Sequence, residues 1–286
     1  MISMKWVAVG LTLLLAAWAT VGLLGRWQWS RAAHELERGL EAARRAPDVA
    51  RYDPRELEDL PAPVQRYFRA ALTPGQPIVA AATIEHTGQF NLGEAQDNWK
   101  PFTSHQRIVA TRPGFVWNAR IAFVPGLAMR VLDASVAGAG RLHAAVAGLV
   151  TVAEAKDTPD LAEGELMRFF AEAAWVPTAL LPSQGVHWEA VDEHSARATM
   201  SDGALSVTLT FGFAADGTLE SVQALSRGRT VAGRTVPTPW EGRWSNPQTH
   251  SGMRVPMTGE VAWLTPEGRR AYWRGTITSV SYEFAR

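Results

Sequence analysis

Glu165, Arg168 and Glu172 recur at spacings of three and four residues, which on a helix sets two carboxylates and a guanidinium on one face. Left in water, such a set is an ion-pair ladder in which each pair contributes a few tenths of a kcal/mol. On the rim of a cavity, Glu172 and the neighbouring Trp175 would orient the polar end of a ligand. Two carboxylates a turn apart also match an acid and base pair. The sequence holds no Gly-x-Ser-x-Gly elbow, phosphate loop, paired-glycine fingerprint or His-Glu-x-x-His run to support a reaction. His86 is a further candidate, and a core histidine satisfied by one hydrogen bond is the simpler account of it. His187 and Glu189 share a strand face, which is too little to define a metal site. The ligand-binding candidates are therefore His86, Trp117, Arg120, Glu172 and Trp175, with no catalytic residue, metal or cofactor assigned.

The elements that must carry these residues can be read from periodicity. The stretch 160–182 is the one strongly helical segment inside a strand-rich body, with Leu161, Leu166, Phe169, Phe170 and Ala173 as its apolar stripe. From Ile78 the period changes to two: Ile78, Ala80, Ala82, Ile84, His86 and Phe90 fall on one face, so His86 points inward. In a later strand Phe115, Trp117, Ala119, Ile121 and Phe123 form one row, and Asn118 and Arg120 face away from it. Leu205, Val207, Leu209, Phe211 and Phe213 mark the clearest half-buried strand. Asp192-Glu193-His194-Ser195, Ser201-Asp202-Gly203 and Ala215-Asp216-Gly217 read as hairpin turns spaced like an antiparallel meander. Trp240 and Trp244 flank Gly242 on one face. A helix laid across a curved antiparallel sheet follows. The small side chains of Ala137, Ala139, Ala144, Ala145, Ala147 and Gly148 leave two options: the helix comes very close, or space remains for a guest.

Composition narrows the partners. Charges balance at 28 basic and 28 acidic residues, so the basic footprint of a nucleic-acid binder is missing. With no cysteine there is no disulfide, thiolate nucleophile or cysteine metal site. Trp6 to Leu24 carries no charge and at helical rise spans about 28 Å, the thickness of a bilayer core. Lys5 precedes it, and Arg26, Trp27 and Trp29 follow, tryptophan being suited to the water interface. A cleaved signal peptide is the alternative, with Ala17-Trp18-Ala19 as the small-x-small site. The expectation is a single-pass anchor over residues 1–29, a helical stalk over 30–59 and a β-rich domain over 60–286. The protein would sit in a bacterial cell membrane with its body outside the cytoplasm.

The order of parts resembles the LolA-like half-barrel of bacterial lipoprotein carriers and envelope sensors, in which a curved sheet wraps helices and apolar chains bind between. Leu60-Pro61-Ala62-Pro63-Val64-Gln65-Arg66-Tyr67-Phe68-Arg69, Trp99-Lys100-Pro101-Phe102, Gly114-Phe115-Val116-Trp117-Asn118-Ala119-Arg120 and Trp175-Val176-Pro177-Thr178-Ala179 look like a bacterial membrane-anchored family of unknown function. That family implies a body plan and no mechanism. The fold class expected is α+β, mostly β: an N-terminal transmembrane helix, then a half-barrel covered by a central helix. The function expected is non-catalytic binding of a lipid or other apolar ligand beside the membrane. A sensor module with a solid core, its protein partner unspecified, and a hydrolase without a recognised motif stand as alternatives.

Overall fold

The computed structural model describes residues 4–93, 96–124, 127–231 and 233–285, and within the first helix the side chains of residues 9, 12, 13, 20 and 22 onward. Helix α1 spans Met4–Ala42, and a short α2, Ala62–Ala71, leads into six strands: β1 Val79–Asn91, β2 Trp99–Val109, β3 Gly114–Val124, β4 Leu127–Val136, β5 Ala139–Val146 and β6 Val150–Lys156. Helix α3, Pro159–Glu172, and three 3-10 turns follow. The chain then returns through β7 His187–Ala190, β8 Ser195–Asp202, β9 Leu205–Phe213, β10 Leu219–Val231, β11 Arg234–His250, β12 Met253–Thr265 and β13 Gly268–Phe284. All thirteen strands form one sheet in the order β6-β5-β4-β3-β2-β1-β13-β12-β11-β10-β9-β8-β7. Two meanders are thus joined where β1 pairs antiparallel with β13, His86 standing opposite Ile277.

Curvature follows from what α3 touches. It packs on β3, β4 and β5 towards one edge and on β9 and β10 towards the other. In a flat sheet β5 and β9 would lie nine spacings apart, about 43 Å, whereas a helix with its side chains is about 10–12 Å across. The sheet therefore curls around α3 as an open half-barrel. At β5 the helix comes to backbone distance: a Cβ on Gly140 would stand 2.8 Å from the Leu161 side chain and 3.0 Å from its carbonyl carbon. Of the small residues of this region, Ala144 and Ala145 are buried and Ala137 and Ala139 are exposed, and it is at Gly140 that the helix closes on the strand.

The single-pass membrane anchor, and the location drawn from it, do not hold. Among the described residues no helix is long and apolar enough to cross a membrane. The apolar run does not end as a separate rod at Leu24 but continues in one helix through the charged residues from Arg26 to Glu41. The second half of α1 then docks on the sheet's outer face. Trp29, expected at a water interface, is buried there with Ala33 and Leu40 against Val109, Val116, Leu132 and Ala134, and its indole N–H donates to Asn118 Oδ1 at 3.0 Å. Ala17-Trp18-Ala19, read as a cleavage site, lies outside the described side chains. The central strands are thus covered on both faces, which explains their unbroken apolar runs such as Phe115-Val116-Trp117.

Candidate functional site

The polar stripe of α3 faces inward. Glu165 is 4% exposed, and Arg168 lies over the rings of Phe115 and Trp117 at 4.6 and 5.1 Å. Its guanidinium donates to Asp133 Oδ2 at 2.5 Å and, through Nε, to Glu172 Oε1 at 2.8 Å. Glu172 also accepts from Gln106 Nε2 at 2.6 Å. The solvated ladder expected from spacing alone is a buried ion triad, because β4 supplies Asp133 as a third member. Burial first, and the Asp133 charge second, push the Glu165 carboxyl up to about 8, so at neutral pH it is mostly protonated.

Beside this triad is a cavity of about 120 Å³ between the end of α3 and the β11–β13 side of the sheet. Its wall is chiefly aromatic: Trp117, Trp175, Trp240, Trp244, Tyr272 and Trp273. Trp175 is set by the 3-10 turn Ala173–Trp175, and its carbonyl accepts from the Tyr282 hydroxyl at 2.9 Å. Room for the rings comes from glycines in register. Gly88, Gly275 and Gly259 stand side by side on β1, β13 and β12, with Trp244 of β11 next in the row. A Cβ on Gly259 would fall 2.4 Å from the Trp244 ring, and one on Gly275 2.3 Å from the Trp273 ring. The indole nitrogens of Trp175 and Trp244 are buried donors with no hydrogen-bond partner among the described residues, a state that costs about 1–3 kcal/mol for each.

Phe90, Leu142 and Tyr272 line this cavity and also a larger outer cleft of about 580 Å³. The outer cleft carries Arg229, Arg269, Arg270 and Arg274 together with Trp99 and Trp263. Beneath it Arg269 pairs with Glu241 and Glu260, and Arg274 with Glu260.

Three of the five candidates named from sequence, Trp117, Glu172 and Trp175, meet in the inner cavity. His86 stands behind its wall, 5.0 Å from the Trp175 ring and 5.9 Å from that of Trp273. Burial first, then Arg168, pull the imidazole down to about 3, so it is neutral. Its Nδ1 is 3.3 Å from the Ser104 hydroxyl, as expected of a core histidine. Arg120 is exposed on the outward face of β3, opposite Thr103 and Arg130, and does not join the others. Sequence reasoning missed Asp133, Arg227 and Tyr272. A single charge between the buried Val131-Leu132 and Ala134 was the only local sign of Asp133, and nothing in β10 marked Arg227. No group of three or more metal-binding side chains occurs among the described residues.

A model of a family of unknown function, DUF6920, matches residues 58–282. The chain belongs to that family. Among solved structures it is similar to a LolA superfamily protein from Nitrosomonas europaea, at 9% identity and a TM-score of 0.41, covering 77% of this chain and 92% of that one. It is also similar to a β-barrel-like protein of the domain of unknown function DUF1849 from Brucella abortus, at 9% identity and a TM-score of 0.29, covering 72% of this chain and 99% of that one. Both resemblances read from the sequence, to LolA-like proteins and to a family of unknown function, are found. No curated protein matches. Neither solved structure passes a ligand or an activity to this member of the family.

Proposed function

We propose that this DUF6920 member is a non-catalytic binding protein for a small apolar or amphipathic ligand held between α3 and the sheet. The observation that carries the reading is the tryptophan-walled cavity itself. A solid-core module has no use for a void there, since an interior normally closes to crystal-like density. At about 120 Å³ the void is close to the size of an engineered cavity, about 150 Å³, that takes up benzene. It suits a ring or the end of a chain, and a longer ligand would continue into the outer cleft. Planar aromatic walls favour stacked or edge-on apolar guests. The ion triad beside the cavity fixes α3 over it.

Native mass spectrometry of the protein purified without detergent tests this. A bound small molecule is expected in the wild type, and its loss in Val261→Trp, which fills the space from the β12 wall. A wild-type protein that carries nothing and takes up no benzene or indole when either is supplied would sink the reading.

A further inference from the structure

Two guanidiniums stand where the inner cavity meets the outer cleft. Arg227 lines the first and Arg229 the second, two residues apart on β10. Both lie over the same ring, Trp263, at 5.8 and 5.9 Å. Arg227 donates to the Gly164 carbonyl at 3.2 Å and to the Tyr272 hydroxyl at 3.3 Å. Among the described residues neither arginine has a carboxylate within ion-pair distance, whereas Arg168, Arg269 and Arg274 each have at least one. At longer range Arg227 feels Glu165 and Arg229 feels Glu267, but a partly desolvated guanidinium without a contacting carboxylate retains its attraction for an anion. The Tyr272 oxygen already accepts from Trp240 Nε1 at 2.9 Å as well as from Arg227, which leaves its own proton to donate. The junction therefore offers two cations and a hydroxyl donor to an acceptor-rich group.

We propose that the ligand is anionic: a carboxylate or phosphate monoester whose charged group rests between Arg227, Arg229 and Tyr272 and whose apolar part enters the tryptophan-walled cavity. This rests on the binding reading above and adds the charge of the ligand. Orientation follows from the surroundings. The inner end of the cavity holds the Asp133 and Glu172 carboxylates, already engaged with Arg168, so an anion is repelled from the far end and held at the mouth.

The test is calorimetric titration of the full chain with four matched probes: 3-phenylpropionate, 3-phenylpropyl phosphate, 3-phenyl-1-propanol and 3-phenylpropylammonium. The carboxylate and the phosphate are expected to bind about tenfold or more tightly than the alcohol, as charge-assisted hydrogen bonds imply. Whichever of the two binds more tightly identifies the head group. In Arg227→Gln/Arg229→Gln the preference for the anion over the alcohol should fall below about threefold. Arg229→Gln alone, which removes no bond to α3, should reduce that preference part of the way and serves if the double variant does not fold. Equal binding of alcohol, ammonium and anions would overturn the anion site and leave the binding reading standing. Tightest binding of the ammonium would do the same and assign the cavity to Asp133 and Glu172. Failure of all four probes to bind would overturn both.

Discussion

Glu165 and His86 are buried on the same side of the sheet with opposite consequences for pH. Glu165 titrates at about 8 in the folded protein and near 4.5 when unfolded. Between those values the native state keeps a proton that the unfolded chain has released, so stability falls as pH rises through the window. His86 titrates at about 3 when folded and near 6.5 when unfolded. Here the unfolded chain takes up a proton that the native state refuses, so stability falls as pH drops below about 6.5. Urea midpoints measured from about pH 5 to pH 9 should stay nearly level up to about pH 6.5, where the two groups offset each other, decline between about pH 6.5 and pH 8, and level off above that, the decline being at most about 1.4 kcal/mol per pH unit from Glu165. Glu165→Gln should flatten that limb, and an unchanged slope would remove Glu165 as its source. The triad makes a second prediction. Arg168→Met leaves Asp133 and Glu172 facing each other inside the protein without their cation, which should cost about 3–5 kcal/mol. A loss below about 1 kcal/mol in the same titration would mean that water already reaches the pair.

Among elements, the aromatic cavity depends on two strands that surrender a side chain in one row: Gly259 and Gly275 let the Trp244 and Trp273 rings lie on the backbone, while Gly88 beside them lets β1 close on the β13 backbone. Gly275→Ala puts a methyl where the Trp273 ring now sits, so the ring must turn into the cavity or the strands must part. The expected cost is about 1–3 kcal/mol, together with an altered near-ultraviolet tryptophan circular dichroism signal. An alanine variant with wild-type spectrum and midpoint would show that the ring has another place to go. Gly140 does the corresponding work on the other side of α3, where the Leu161 side chain closes over the β5 backbone. The same helix is therefore seated on the sheet along both flanks, with Phe170 against Phe211 of β9, and the cavity opens at its C-terminal end beside Glu172 and Trp175.

Over the whole molecule, the two meanders are fastened by a single antiparallel pairing between β1 and β13, elements nearly two hundred residues apart in sequence. No hairpin can supply that contact, and closing so long a loop is slow and entropically costly. β13 also pairs with β12 and carries Tyr272, Trp273 and the Tyr282 hydroxyl that holds Trp175. Removing residues 267–286 should therefore abolish the cooperative thermal transition and the cavity together, though twelve strands remain in the sequence. A truncated chain that still melted in one sharp step by circular dichroism would show that each meander folds alone.

How much of this was legible beforehand depends on the range of the interaction. The strands from Val79 to Val124, the α3 segment and the inward face of His86 could be read directly, because alternation and helical spacing are local properties of a chain packed on one side. Trp117, Glu172 and Trp175 were named for the same reason. The N-terminal run was misjudged because hydropathy reports transfer from water and not the solvent that receives the helix. Whether Trp29 meets lipid or the outer face of β3 and β4 depends on a surface formed by distant residues. The ladder on α3 was read as wet because Asp133, thirty-five residues away, cannot be paired with Arg168 from spacing. Local spacing suffices for the strands, the central helix and the side chains that point inward. The closure of β1 on β13, the burial of the triad and the gathering of five tryptophans around a void come from the folded chain alone. Each of these is a contact between residues far apart in the chain, made when the sheet curls and carrying no period that local sequence could display.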